Sequence, residues 1–298
     1  MKYEIFDAEY GAQLFGGRYC LGSTPYNNNP KENPIMQTNR LSFTTMTKPY
    51  WLMTLFALLI SGCASKGEPR HFADDTFQFE TLRAIAYAPY GGAEIGEVNA
   101  ITANIEDKNL QSWYEQWYAM ANRLEQDANK LADDFGKGQM LLRSHNYFRT
   151  SEFFLDGEDP RRQDTFGRSK ENYKQAMDLM GVNYQYIKVP YQGKHLDAIY
   201  YPPTNPEDIN KPLVLGFGGF DSTLEEMYFF VAAPAITRGH PVVVFAGPGQ
   251  GEVLREQNIL LTHEWEKPTG AVIDTIYKKL YQPEKIVLVG VSLGGMLG

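Results

Sequence analysis

The chain has 298 residues, 43% of them hydrophobic and 21% charged, and 36 acidic against 28 basic side chains give a formal net charge of −8. That length allows two domains and a sizeable core, and the composition excludes wholesale disorder, a collagen-like fibre and a polytopic membrane protein. The acidic balance and the lack of a basic stripe argue against nucleic acid as a partner, and two cysteines, Cys20 and Cys63, are too few for a metal cluster or a disulfide framework.

Residues 1–45 carry Gly16-Gly17 and Asn27-Asn28-Asn29-Pro30 with no sustained period, and read as unstructured or as lying before the true start, for which Met36 and Met46 are alternatives. Residues 51–62 form an uncharged run behind Arg40 and Lys48. The run is too short to cross a hydrocarbon core of about 30 Å comfortably and suits a signal-peptide h-region. It closes on Leu59-Ile60-Ser61-Gly62-Cys63, which resembles the lipobox of bacterial lipoproteins. The resemblance implies a signal peptide over 46–63, diacylation of Cys63, and export to the periplasmic side of a bacterial envelope with membrane attachment through acyl chains. The plainer alternative is a buried apolar helix with an incidental cysteine. Residues 64–105 read as a tether and entry segment.

From residue 110 the period becomes helical. Leu110, Trp113, Trp117, Ala121, Leu124, Ala128 and Leu131 fall on one stripe, and Gly136-Lys137-Gly138 is expected to end that helix. Further helices are expected over 139–155 and 169–180, the latter capped by Gly181. Together they make a small helical domain over 106–182. The tryptophans read first as its core and second as substrate contacts.

Beyond Gly181 the pattern turns to strands. Segments 184–189 and 196–201 read as a hairpin across Gln192-Gly193. Segments 212–217, 241–245 and 285–289 are apolar on both faces, as strands inside a helix-covered parallel sheet must be. Helices are expected between them over 223–238, opened by Ser222 and Thr223 with Glu225 and Glu226 in the first turn, and over 269–281. Residues 183–298 thus predict a doubly wound α/β layer.

The chemistry-bearing motif is Gly290-Val291-Ser292-Leu293-Gly294, which follows an apolar strand and opens a helix. Glycines at 290 and 294 permit a sharp turn that presents the Ser292 hydroxyl alone at the top of the sheet, the setting a Gly-x-Ser-x-Gly nucleophile requires. The alternative is an ordinary glycine-rich turn. Gly247-Pro248-Gly249-Gln250-Gly251-Glu252 lacks the Gly-Lys-Ser/Thr of a phosphate loop and reads as a rim turn.

Trp113-Tyr114-x-x-Trp117-Tyr118, Arg143-Ser144-His145-Asn146-Tyr147-Phe148-Arg149, Glu152-Phe153-Phe154-Leu155, Gly218-Gly219-Phe220-Asp221-Ser222-Thr223 with Glu225-Glu226, and the 247–252 turn occur in order. Over roughly 105–298 this resembles the helical-capped, esterase-like group of α/β hydrolases that includes dihydropseudooxynicotine hydrolase. The resemblance implies a helical cap over a Ser-His-Asp site, attack on the carbonyl of a small ester, amide or ketone, and no metal or organic cofactor. It also implies an oxyanion hole from the backbone amides of Phe220 and Leu293, with Gly218 and Gly219 shaping the loop.

One departure stands out. In α/β hydrolases the acid and then the histidine follow the serine, whereas six residues follow Ser292 here, and His71, His145, His195, His240 and His263 all precede it. The reading is therefore an incomplete α/β-hydrolase sheet, five of the usual eight strands, with the Ser292 strand at an open edge. A fragment of a longer enzyme is expected, unable to turn over a nitrophenyl ester above a Ser292→Ala control. The other functional class is a non-catalytic, membrane-tethered lipoprotein that keeps this half of the fold as a binding module. Oligomeric state is left open.

Overall fold

The computed structural model describes Glu4–Ile5 and residues 70–298. The expectations about the start codon, the apolar run 51–62, the tether and lipidation at Cys63 fall outside the described residues. Glu4–Ile5 and His71–Gly298 belong to one compact unit.

Among the described residues, β1 (Glu4–Ile5) is followed in chain order by α1 (Asp75–Ala86), α2 (Ile95–Thr102), α3 (Leu110–Ala128), α4 (Asp134–Ser151) and α5 (Pro160–Leu179). Segment 70–105, read as a tether and entry, therefore contributes two helices to the cap. The signal was present but short: Asp74 accepts hydrogen bonds from the Thr76 and Phe77 amides, and Phe77, Thr81 and Ala84 recur on one buried face. The glycines expected to end the first long helix instead lie inside α4. Asp133 caps α4 at the Gly136 amide, and a Cβ at Gly138 would meet Met180 Cγ at 2.7 Å, so that glycine allows α4 to pack on α5. Gly181 caps α5 as expected, with φ +67° and Val182 N–H donating to Met177 O at 2.9 Å. Trp113 and Trp117 are fully buried among Phe77, Phe148 and Tyr147, and the Trp113 indole donates to Thr150 O at 2.8 Å. They are cap core.

The sheet follows: β2 (Gln185–Tyr191), β3 (Lys194–Tyr201), β4 (Leu213–Phe217), β5 (Val242–Ala246) and β6 (Ile286–Gly290). Five strands between residues 185 and 290 match the sequence reading, and the order across the sheet is β1-β6-β4-β5-β3-β2. The β2–β3 hairpin and the β3–β5 pair are antiparallel, while β4 pairs in parallel with both β5 and β6. β6 does not present the fully open edge that was expected, because Glu4 and Ile5 lie in register with Val287 and Leu288.

Short helices α6 (Ala233–Ile236) and α7 (Gly251–Arg255), the longer α8 (Glu266–Lys279) and the short α9 (Leu293–Leu297) connect or follow the strands. The helix expected over 223–238 is largely replaced by turns, a π-helical turn at Tyr228–Ala232 and α6. Ser222 is not its cap: the Ser222 hydroxyl accepts from the Gly219 amide at 2.9 Å. Glu225 and Glu226, expected in the first turn of that helix, lie before the π-helical turn and are both buried.

Candidate active site

β6 delivers the chain to the top of the sheet, where it reverses into α9 in two residues. Val291 N–H donates to Phe217 O at 3.1 Å, tying the turn to the end of β4, and Gly294 N–H closes it on Val291 O at 2.9 Å. Between them Ser292 holds φ 58° and ψ −125°. A side-chain-bearing residue in this region is strained at a cost of roughly 1–3 kcal/mol, and such residues cluster at functional sites. The turn is possible because its neighbours lack a Cβ: one added at Gly290 would lie 2.3 Å from Gly294 O, and one at Gly294 would lie 2.6 Å from Gly218 O. The Ser292 side chain is exposed, and no group among the described residues hydrogen-bonds its hydroxyl.

The loop after β4 arrives at the same place. A Cβ on Gly219 would sit 2.8 Å from Ser292 Cβ, 3.0 Å from its Oγ and 3.2 Å from the Leu293 nitrogen, so glycine alone lets this backbone lie against the serine. One on Gly218 would lie 2.2 Å from Ser222 Cβ. The Gly219 amide is engaged by Ser222, whereas the Phe220 and Leu293 amides donate to no group among the described residues. Ser292, Gly219, Phe220 and Leu293, singled out in the sequence, are thus brought together.

A cavity of about 500 Å³ lies between this loop and the cap, lined by Arg149, Glu152, Phe153 and Arg162 from above and by Phe220, Asp221, Thr223, Leu254 and Arg255 from below. Its polar walls are cross-braced. Arg255 Nη1 reaches Glu152 at 2.8 Å and 3.0 Å, and Arg162 approaches the same carboxylate at 3.4 Å. Thr223 Oγ1 is buried beside the cavity without a protein partner.

Behind the cavity, Glu226 is held by Arg83 through bonds of 2.8 Å and 2.7 Å, by Arg149 at 3.2 Å and by the Tyr87 hydroxyl. Arg83 also pairs with Asp221, and Arg149 lies 3.5 Å from Glu80. Burial pushes the Glu226 carboxyl up, but Arg149 and Arg83 together outweigh it and hold the group at about 2. These pairs fasten α1 and α4 of the cap to the segment that follows the Gly219 loop. Sequence reading missed the role of Arg83 and Glu226, whose separation of 143 residues leaves no local signal.

No histidine takes the place of a base at Ser292 among the described residues. His145 is buried against Tyr173 and Phe229, its Nδ1 lies 2.9 Å from Ser169 O, and burial lowers it to about 4, so it is a neutral packing residue. His71 bonds Thr102, His240 bonds Pro212 O, and His195 lies beside Asp197 at 3.8 Å.

No protein-family model matches the sequence. Among curated proteins, the chain is 36% identical over 239 residues to the hydrolase LUC6 of a Fusarium species, covering 76% of this chain and 57% of that one. It is 35% identical over 242 residues to the alpha/beta hydrolase psoB of Aspergillus fumigatus, covering 75% and 54%. Among solved structures it resembles 2,6-dihydroxy-pseudo-oxynicotine hydrolase with a TM-score of 0.58 and 26% identity, over 70% of this chain and 58% of that one. The chain therefore spans little more than half the length of these curated relatives.

Proposed function

We propose that this chain, which belongs to the α/β-hydrolase superfamily, carries the nucleophile half of a serine hydrolase acting on a small carbonyl substrate. The observation that supports this most directly is the backbone of Ser292: a serine at φ 58°, ψ −125° between a strand and a helix, with its hydroxyl exposed beside two unpaired amides.

In this reading the Ser292 oxygen attacks the carbonyl carbon of a substrate held against the Gly219–Phe220 loop, whose Phe220 also lines the cavity. The carbonyl π bond breaks, and its electron pair becomes an oxyanion that accepts hydrogen bonds from Phe220 and Leu293 N–H. Each such donor contributes roughly 3 kcal/mol to lowering the barrier. Collapse of the tetrahedral species expels the leaving group, which takes a proton, and water then hydrolyses the acyl-enzyme. The hydroxyl needs a proton acceptor, which does not lie among the described residues. The cap supplies the cavity roof, with Phe153 above and Phe220 below offering apolar surface.

The test is a fluorophosphonate probe on the full-length protein. Labelling is expected at Ser292 and is lost in Ser292→Ala. An unlabelled protein, or labelling that survives the substitution, overturns the proposal. Export and acylation at Cys63 extend the proposal on the strength of the ordered basic, apolar and small-residue segments before it. Cys63→Ser is then expected to move the protein from the membrane fraction to the soluble fraction.

A further inference from the structure

The turn read as a mere rim, 247–252, sends a side chain into the site. Gln250 is 2% exposed, and every polar atom of its amide is engaged with backbone. Its Oε1 accepts from Gly247 N–H at 2.8 Å, which fixes which end of the amide faces the Gly219 loop. Its Nε2 donates to Gly218 O at 2.6 Å and to Gly219 O at 2.9 Å. The turn that presents it is itself pinned, by Gly249 N–H on Ile259 O at 2.9 Å and Gln250 N–H on Gly247 O at 3.1 Å.

From these contacts we infer that Gln250 is a positioning residue for the oxyanion hole, acting through the peptide between Gly219 and Phe220. The inference rests on the serine-hydrolase reading above. A trans peptide is planar, with its C=O and N–H pointing in opposite directions. Drawing the Gly219 oxygen toward Gln250 therefore turns the Phe220 N–H away from Gln250. The preceding peptide is clamped at both ends, its Gly218 oxygen by Gln250 and its Gly219 nitrogen by Ser222 Oγ. Two successive glycines have no side chains of their own to resist rotation of these planes. Without Gln250 the loop would keep its path against Ser292 but lose the bond that aims its free amide. A hydrogen-bond donor stabilises a developing oxyanion only when it is aimed in advance.

The experiment is inactivation of the full-length protein by a nitrophenyl phosphonate, which places a phosphoryl oxygen where the oxyanion would form. Its first-order inactivation constant and its half-saturating concentration are separated for the wild type, Gln250→Leu and Gln250→Glu. In Gln250→Leu the inactivation constant is expected to fall roughly 10- to 100-fold, less than the full loss of a donor, while the half-saturating concentration stays within about twofold because the cavity is untouched. Gln250→Glu has the same shape. Its ionised carboxylate cannot donate, whereas its protonated form restores one bond. Its deficit relative to wild type is therefore expected to be large near about pH 9 and to shrink near about pH 6. A purely structural role for Gln250 would not produce that partial rescue. Wild-type inactivation constants in both variants, or a Gln250→Glu deficit that does not change with pH, overturn the inference while leaving Ser292 as the nucleophile. A wild type that is not modified at Ser292 removes the reading beneath it as well.

Discussion

Glu225 and Glu226 are consecutive in the chain and equally withdrawn from water, at 1% and 0% exposure, yet they sit in opposite electrostatic surroundings. Glu226 meets two guanidinium groups and a phenol, and stays ionised. Among the described residues, the one side chain that hydrogen-bonds Glu225 is the Tyr186 hydroxyl at 3.0 Å, and the second Glu225 oxygen has no such partner. Burial raises it, an effect only partly offset by Lys170. Nearby, both oxygens of Glu252 are buried with no side-chain partner among the described residues, and burial together with the Glu225 charge pushes Glu252 up to about 8. Burial at this cap–sheet junction is uniform; the number of donors differs, and that number decides which carboxyl carries charge.

The most severe way to break the contrast is to remove a donor from the paired side. Arg149 is 4% exposed and bridges Glu80 and Glu226, so Arg149→Met leaves these two buried carboxylates to share the single guanidinium of Arg83. A loss of roughly 3–5 kcal/mol in urea unfolding is expected. Adding Glu226→Gln should recover part of it, because Arg83 then faces one buried carboxylate fewer. A loss below about 1 kcal/mol would mean that water reaches the cluster and that the two glutamates do not differ in kind.

The sequence made the sheet legible because strands buried on both faces must be continuously apolar, as 213–217 and 242–246 are. It made the turn at Ser292 legible because a sharp strand-to-helix turn needs glycine at 290 and 294, whereas the positive φ of Ser292 itself is seen in the structure alone. It misjudged Gly136 and Gly138, since a glycine that permits close helix packing and one that ends a helix look alike in one dimension. It misjudged Glu225 and Glu226, because two acidic residues after Ser-Thr are the local signature of a helix start. Their partners Arg83, Arg149 and Tyr186 arrive from three distant elements. Gln250 escaped notice for the same reason: its acceptors lie 31 and 32 residues away.

A second, intermediate effect sharpens the unpaired side. With its folded-state value raised from 4.5 to about 8, Glu252 holds a proton in the fold that it would release when unfolded. Its contribution is therefore fully present below about pH 4.5 and is lost as the pH climbs through about 8. Stability is expected to fall by a few kcal/mol over that window, read as unfolding midpoints at constant ionic strength. Glu252→Gln, which cannot ionise, should flatten the slope. A slope unchanged by this substitution would assign it to the neighbouring groups whose proton affinity the fold also shifts, Glu225 and Lys170.

The smallest expected effect isolates the side-chain donor to Glu225, the Tyr186 hydroxyl. Tyr186→Phe removes the 3.0 Å bond and little volume, so a loss of about 1 kcal/mol is expected. Its pH dependence carries the information. The bond favours the ionised carboxyl, so the loss on its removal is expected to grow as the pH rises and Glu225 ionises. A loss that stays the same from acid to alkaline solution would show that Tyr186 does not discriminate between the charged and neutral carboxyl, and that burial and the lysines alone set its state.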